Sequence, residues 1–357
     1  MPPIEYELAL FIQRLYDVSF PGVYRMAKHF SMDYSDFMLR INKIYSYNFR
    51  FKFTIDLTKI DLRKTYVLIE DTINISEPIP FLRAYIRLLP NLTYMAFFTP
   101  LKSNIYTFVY NVLRRYGIDT SNIREVYTAK YAEENRTLLT LYKWDIDSFD
   151  EMASEKEWMK IIQRTGYYLE TLTDDDLPIF TKEYKGPKVL REIYLRILKE
   201  IEYNPFLPMY EISRKAGVRQ RDVVRAVKMF ESVGIFKGIR ISWFPWIKAA
   251  DLFFISFIKA DSYRDAMALL KAASEFPMFT GGIINIDNSV MLTFLGNGKA
   301  YPVFEKTMHA LEKEFSYNVK RIHLGFSSQS RRFSLPYIHG IEYNKYRKYW
   351  NVILRSN

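Results

Sequence analysis

The stretch that decides the fold is Met209–Arg240, with the sequence MYEISRKAGVRQRDVVRAVKMFESVGIFKGIR. Within it, Val223, Val227 and Phe230 recur at the spacing of one helix face. A turn at residues 216–218 precedes this helix, and a segment typical of a β-hairpin follows it. These features predict a helix-turn-helix unit followed by a β-hairpin wing.

The other face of the same helix is cationic. Arginine, lysine and glutamine side chains on such a helix suit guanine edges, adenine edges and phosphates in a DNA major groove. A solvated amphipathic helix is the alternative interpretation, because most charged helix faces contact only water. We expect a DNA recognition helix, and the predicted DNA contacts, including those of two wings, are Arg219, Gln220, Arg221, Arg225, Lys228, Lys237, Arg240, Arg50 and Lys52.

The same plan occurs near the start of the chain. Asp36 and Asp222 stand 186 positions apart, and at that offset apolar residues coincide without gaps from Ile4 to Leu68. Such a register predicts an internal duplication. We therefore expect the two copies to share an interface within one chain, as the subunits of a dimer would.

The two predicted recognition helices differ in charge. Where the second copy has three cations, the first has Ser35, Leu39 and Asn42. We expect the second helix to supply most of any sequence specificity, because phosphate and base contacts depend on these side chains.

Each predicted winged helix precedes a sheet domain. In the second copy the pattern has the order βαββαβ, which gives a four-stranded antiparallel sheet with two helices on one face. In the first copy the offset grows from 186 to 198, so the first helix of that domain is missing. We expect the insert helix Phe149–Ile162 to cover that sheet, with Met152, Trp158, Met159 and Ile162 buried.

The predicted fold class is α+β, with two winged helix-turn-helix domains each followed by a ferredoxin-like βαββαβ domain. The expected segments are a first winged helix (1–62), an abbreviated βββαβ-type domain (63–144), an acidic helical linker (145–185), a second winged helix (186–248), a βαββαβ domain (249–330) and a basic aromatic tail (331–357). For the tail we favour a docked terminal helix over a nucleic-acid contact.

This order of modules resembles the leucine-responsive regulatory protein (Lrp/AsnC) family of bacterial and archaeal transcription regulators. The resemblance is carried by Met209–Arg240 and by residues 250–326. It implies an archaeal regulator with a winged DNA reader and an effector-type sheet domain. Two copies in one chain imply a monomeric pseudo-dimer or a homodimer, and in the effector loop only Asp287 could carry over, where a plain polar turn is the favoured alternative.

Composition narrows the function classes. The chain has 357 residues, a net charge of +11, no cysteine and four histidines, which leaves few ligands for a metal site. The longest apolar run is far too short to span a bilayer, and the N-terminus has no cleavable signal pattern, so we expect a cytoplasmic protein.

No constellation of catalytic residues stands out. Thr280-Gly281-Gly282-Ile283 lies where a strand should start, and glycine there more often permits close backbone approach than phosphate binding. We therefore expect no enzyme, cofactor or metal. The expected function is a sequence-specific regulator that binds double-stranded DNA, with a small-molecule effector as an open possibility. The alternative is an architectural or scaffold protein that binds DNA non-specifically or docks on transcription machinery.

Overall fold

The computed structural model describes residues 4–75, 79, 81–101, 104–141, 154–180, 191–243, 250–332, 341–344 and 349–352. Phe149 and Met152 of the predicted insert helix, and parts of the predicted tail, lie outside these ranges. No helix among the described residues is both long enough and apolar enough to cross a membrane.

The first half of the chain begins with helices and continues as a sheet. Its described elements are α1 (Tyr6–Leu15), α2 (Val23–His29), α3 (Tyr34–Ser46), β1 (Arg50–Ile55), β2 (Leu62–Ile69), β3 (Leu82–Leu88), β4 (Leu92–Pro100), α4 (Ile105–Arg115) and β5 (Ile123–Glu133). The described residues between β2 and β3 contain no helix, as the gap in the repeat predicts.

The second half starts with the insert helix. Its described elements are α5 (Glu155–Thr171), α6 (Glu192–Tyr203), α7 (Met209–Ala216), α8 (Gln220–Ser232), β6 (Phe236–Trp243), β7 (Leu252–Lys259), α9 (Tyr263–Ser274), β8 (Phe279–Asn285), β9 (Ser289–Gly296), α10 (Ala300–Phe315), β10 (Asn318–Arg332), β11 (Ile341–Asn344) and β12 (Tyr349–Val352).

The predicted core stripe of α8 is confirmed. Val223, Val227 and Phe230 are all buried, because their spacing places them on one side of the helix. Gly217 ends α7 in the left-handed conformation, with φ of 64°. Glycine tolerates this conformation without steric cost, which accounts for the sharp turn between α7 and α8.

Eight strands from both halves form one closed barrel in the order β10-β3-β4-β2-β5-β8-β9-β7. Two antiparallel seams join the halves, β5 with β8 and β10 with β3. The expected shared interface within one chain is therefore confirmed. The prediction of two separate four-stranded sheets is corrected in one respect. The edge strands of the two sheets pair with each other, so no strand edge of the barrel is unpaired.

The two wing strands also pair with each other. β1 and β6 form a separate two-stranded antiparallel sheet in which Lys52 lies opposite Arg240. The helical units in front of these strands share a core, where the ring of Phe206 packs on those of Phe37 and Phe51 at centroid distances of 6.3 and 5.7 Å. Among the described residues each predicted wing is therefore a single strand, which pairs with the strand of the other half instead of forming a hairpin of its own.

The described parts of the C-terminal tail form strands instead of the expected helix. β11 and β12 pair antiparallel as a small sheet of their own. Tyrosine and tryptophan in these segments favour extended backbone, which explains the difference.

The insert helix α5 does not cover the first sheet, so that prediction is wrong. It packs against α9 and α10 on the outside of the second half of the barrel. The side chains of Trp158 and Ile162 are buried as expected, but beside the helices of the second half, and Met159 is only partly buried. The indole of Trp158 lies among four phenylalanine rings at centroid distances of 4.5 to 6.5 Å, namely Phe254, Phe276, Phe294 and Phe304. An amphipathic stretch shows that a helix needs an apolar partner but does not say which one.

We expect Trp158→Ala to lower the free energy of unfolding by about 3–5 kcal/mol, because the side chain is fully buried and its loss leaves a cavity. Urea denaturation followed by circular dichroism measures this change. Gln163→Ala on the exposed side of the same helix is the matched control and should change stability little. Equal losses in the two variants would contradict the assigned packing of α5.

Candidate active site

A partly buried charge cluster lies where β1, β2 and the end of β5 meet. The carboxylate of Glu134 binds two ammonium groups, with Lys52 Nζ 2.8 Å from its Oε2 and Lys64 Nζ 3.0 Å from its Oε1. The hydroxyl of Thr54 also donates to Oε2 at 3.1 Å. The pairing of β1 with β6 holds Lys52 and Thr54 in this position, so the cluster depends on both halves of the chain.

The shared carboxylate affects the two lysines unequally. Burial alone would raise the pKa of Glu134, but the charges and hydrogen bonds of Lys52 and Lys64 lower that pKa well below its usual range. Burial lowers the pKa of Lys52 in spite of this partner. For Lys64 the attraction to Glu134 outweighs burial and raises the pKa of its ammonium. Burial and the charge of Glu134 thus act in opposite directions on the pKa of both lysines.

The cluster opens into a cavity that reaches into the barrel. It contains about 1140 Å³ of empty space, including the part that is open to solvent, and residues from both halves line it. The rings of Tyr66 and Tyr94 stack along one wall at a centroid distance of 5.4 Å and an interplanar angle of 16°. Burial raises the pKa of both tyrosines, so both phenols stay neutral. We call this space, with Lys52, Lys64 and Arg83 as its cations, the barrel cavity.

A buried ion pair adjoins the barrel cavity, whose lining includes its carboxylate partner, Glu133. Arg240 Nε lies 3.2 Å from Glu133 Oε1, and its Nη1 donates to the carbonyl oxygen of Tyr16 at 2.9 Å. The hydroxyl of Tyr131 donates to Glu133 Oε2 at 2.7 Å. These bonds connect α1, β5 and β6, and they satisfy a charge pair that burial would otherwise make costly.

Two of the predicted DNA contacts are therefore wrong. Lys52 and Arg240 face inward, with side-chain exposures of 22% and 6%. Lys52 binds the partly buried Glu134, and Arg240 binds the buried Glu133. The physical reason is the pairing of β1 with β6, which turns one face of both strands toward the barrel. The predicted wing residue Arg50 donates to the carbonyl oxygen of Phe49 at 2.7 Å.

The remaining predicted contacts lie outside the barrel cavity. Lys237 is exposed and lies over the ring of Tyr131 at 5.3 Å. Arg219 forms a salt bridge of 2.9 Å with Asp222 at the start of α8. The other predicted contacts on this helix are exposed to solvent, namely Gln220, Arg221, Arg225 and Lys228. The structure does not bring them together with the wing cations.

The predicted effector residue Asp287 lies in the turn between β8 and β9. Its carboxylate accepts hydrogen bonds from the backbone N–H of Ser289 at 3.0 Å and from the Ser289 hydroxyl at 2.7 Å. Asn285 Nδ2 donates to it at 2.9 Å, and Lys259 forms a salt bridge with it at 3.3 Å. These contacts stabilise the turn and account for the position of the residue without a ligand.

The sequence pattern did not identify the residues that matter most in the barrel cavity. Lys64 follows Arg63 in the otherwise uncharged strand Leu62–Ile69. Glu133 is the last residue of β5, and Glu134 comes directly after it. Adjacent charged residues within or at the end of a largely apolar strand are the signal that could have marked them, because such charges need a partner. Among the described residues, no three His, Asp or Glu side chains converge where a metal ion could bind.

Comparison with known proteins gives structural matches only. Neither a family model nor a curated protein sequence matches the chain. The crystal structure of the siroheme decarboxylase NirDL is similar to it with a TM-score of 0.50 and 10% identity, over 92% of this chain and 94% of that one. The same enzyme in complex with an iron-uroporphyrin III analogue gives a TM-score of 0.51 and 10% identity, over 93% and 95% of the two chains. An AsnC family transcriptional regulator from Agrobacterium tumefaciens covers 41% of this chain, with 94% of its own length, 15% identity and a TM-score of 0.31.

These matches correct the function that was expected from the sequence. The solved structure that is similar over nearly the whole chain is that of an enzyme. The interpretation as a DNA-binding regulator, or as an architectural DNA-binding protein, is therefore wrong, and so is the expectation that the chain is no enzyme. The pairing of the wings agrees with this correction, because it removes Lys52 and Arg240 from any DNA-binding face.

We expect Glu134→Gln to lower the free energy of unfolding by about 1–3 kcal/mol, because it leaves two partly buried ammonium groups without a counter-charge. Urea denaturation near neutral pH measures this loss. The matched control is Glu70→Gln, since Glu70 is 61% exposed in its salt bridge with Arg124 and its loss should cost less than about 1 kcal/mol. A loss in Glu134→Gln no larger than in the control would contradict the assigned role of the cluster.

The contribution of Glu134 should also depend on pH. Its pKa in the folded protein is lower than in the unfolded chain, so ionised Glu134 stabilises the fold above the unfolded value and ceases to do so as the pH falls through the folded value. The difference in unfolding free energy between the wild type and Glu134→Gln should shrink below about pH 4. A difference that stays constant across that range would show that the carboxylate is not preferentially ionised in the folded state.

Proposed function

We propose that the protein is an enzyme whose substrate binds in the barrel cavity, and that this substrate is a planar polycarboxylate of the tetrapyrrole class that loses carboxylate groups as CO₂. One observation carries the proposal: the cavity combines partly buried cations with two stacked tyrosine rings. Support for the reaction class comes from the siroheme decarboxylase whose fold covers the chain.

The charges of the barrel cavity suit the carboxylates of such a substrate. Lys52 and Arg83 line the space, and a charge-assisted hydrogen bond from either would orient a carboxylate. Glu134 holds both Lys52 and Lys64, so one carboxylate is shared by two ammonium groups and a net positive charge stays near the site. The stacked rings of Tyr66 and Tyr94 offer an apolar wall against which a planar ring system can lie.

The same features suit decarboxylation. The C–C bond to the carboxylate breaks, CO₂ leaves, the conjugated ring takes up the electron pair, and the carbon is then protonated. Removal of water in the cavity favours this step. The localised charge of a carboxylate is stabilised strongly by hydration, whereas the charge that spreads over the ring when CO₂ leaves is stabilised less, so loss of hydration destabilises the starting carboxylate more. We assign proton delivery to Lys52, because it lines the cavity and burial lowers the pKa of its ammonium.

We also propose that the two halves are copies of one ancestral unit, a winged helix-turn-helix followed by a ferredoxin-like domain. The element order of the two halves supports this, as does the antiparallel pairing of β5 with β8 and of β10 with β3. The chain would then be a monomeric pseudo-dimer, since the barrel leaves no edge strand for a second copy.

The function is tested by mixing the purified protein anaerobically with siroheme or iron-uroporphyrin III. A saturable shift of the Soret absorption is expected, and mass spectrometry of the siroheme reaction should show products that have lost CO₂. Lys52→Gln should reduce turnover by about a hundredfold or more while still binding ligand, because general acid catalysis contributes about that much.

The matched control is Lys228→Gln, which removes a cation of the same type from the exposed face of α8. It should leave both binding and turnover unchanged. If neither compound shifts the Soret band and no decarboxylated product forms, the tetrapyrrole assignment is wrong. If Lys228→Gln and Lys52→Gln reduce turnover equally, the barrel cavity is not the active site.

A further inference from the structure

A second concave space lies on the outer side of β2 and β5. It contains about 750 Å³ of empty space, including the part open to solvent, and lies between these strands, the residues that follow β1, and residues 178–180. We call it the outer cleft. It shares Thr54, Ile55, Leu57 and Lys64 with the barrel cavity, so the two spaces adjoin at the first turn after β1.

The outer cleft carries two lysines that lie over aromatic rings, and among the described residues neither forms an ion pair with a carboxylate. Lys130 Nζ lies 3.6 Å from the ring centroid of Tyr263, and Lys237 Nζ lies 5.3 Å from that of Tyr131. A cation–π contact fixes an ammonium group without neutralising it, and it leaves N–H donors for another partner. These contacts thus fix the positions of both ammonium groups but do not neutralise their positive charges.

The tyrosines that hold the lysines are themselves fixed. The hydroxyl of Tyr263 donates to the carbonyl oxygen of Pro178 at 2.9 Å, and that of Tyr131 donates to Glu133 at 2.7 Å. The two rings that contact the ammonium groups are therefore fixed in position by hydrogen bonds. Such preorganisation lowers the entropy cost of binding an anion.

The acidic group that lines the outer cleft is already engaged. Asp56 accepts hydrogen bonds from the backbone N–H of Thr58 at 3.0 Å and from its hydroxyl at 2.6 Å. Arg63, a further cation in the lining, donates to the carbonyl oxygen of Pro100 at 3.4 Å. Lys64 is paired with Glu134, so the positive charge that remains for a ligand comes from Lys130 and Lys237.

We propose that the outer cleft is a second ligand site, which binds a small organic dianion bearing carboxylate or phosphate groups through Lys130 and Lys237. The site is distinct from the barrel cavity, whose lining includes neither lysine. The inference does not rest on the proposed function, since it concerns other side chains and another ligand.

The test is isothermal titration calorimetry of the full chain with succinate and, separately, with inorganic phosphate, at low ionic strength. Saturable binding of at least one probe is expected, and the stronger of the two identifies the anionic group that the site prefers. The double variant Lys130→Gln with Lys237→Gln should weaken that binding by about tenfold or more, because it removes two charge-assisted contacts. Lys130→Arg with Lys237→Arg keeps both charges and should retain binding, which excludes a general loss of folding as the cause.

The matched control is Lys313→Gln with Lys320→Gln, which removes the same charge from two exposed positions outside the cleft. An equal loss in this control would mean that net charge alone attracts the anion and would overturn the proposal. The absence of saturable binding by either probe would overturn it as well. A parallel titration of the wild type with iron-uroporphyrin III separates this proposal from the proposed function. If succinate or phosphate binds but iron-uroporphyrin III does not, only the proposed function is contradicted.

Discussion

The hydrogen-bonded pairing of β1 with β6 is the constraint on which the rest of the structure depends. In isolation each of these strands would be the free edge of a short hairpin, with backbone groups exposed to water. Their pairing brings the two helical units together and turns one face of both strands onto the barrel. That face carries Lys52 and Arg240, whose charges then have to be met by Glu134 and Glu133 at the end of β5. The candidate active site is thus a consequence of how two distant parts of the chain meet.

Local periodicity predicted much of the fold. The apolar stripe of α8 and the missing helix between β2 and β3 were readable, because both follow from spacing within short segments. The roles of the charged strand residues were not readable in the same way. An alternating strand has one apolar and one polar face, and nothing in the alternation of β1 says whether Lys52 faces water or a buried carboxylate.

The position of the insert helix shows the same limit from the apolar side. Trp158 was expected to be buried, and it is, but the sheet with a missing helix seemed to be the surface in need of a cover. The helix covers part of the second half instead, where four phenylalanine rings surround the indole, namely Phe254, Phe276, Phe294 and Phe304. The hydrophobic effect is non-directional, so the amount of apolar surface on a helix does not determine which surface it packs against. The fit between the shapes of the two surfaces determines it far more.

Closure of the barrel has a consequence for how the chain is made. A ribosome finishes β3 and β5 well before it reaches β8 and β10, the strands that pair with them. Until then the nascent first half has two unpaired strand edges, which can pair with other chains. Two nascent chains on one messenger could exchange first halves through these edges before either barrel closes. Slow synthesis of the second half should therefore favour entangled dimers over monomers, although the finished protein offers no edge in its barrel for such an exchange.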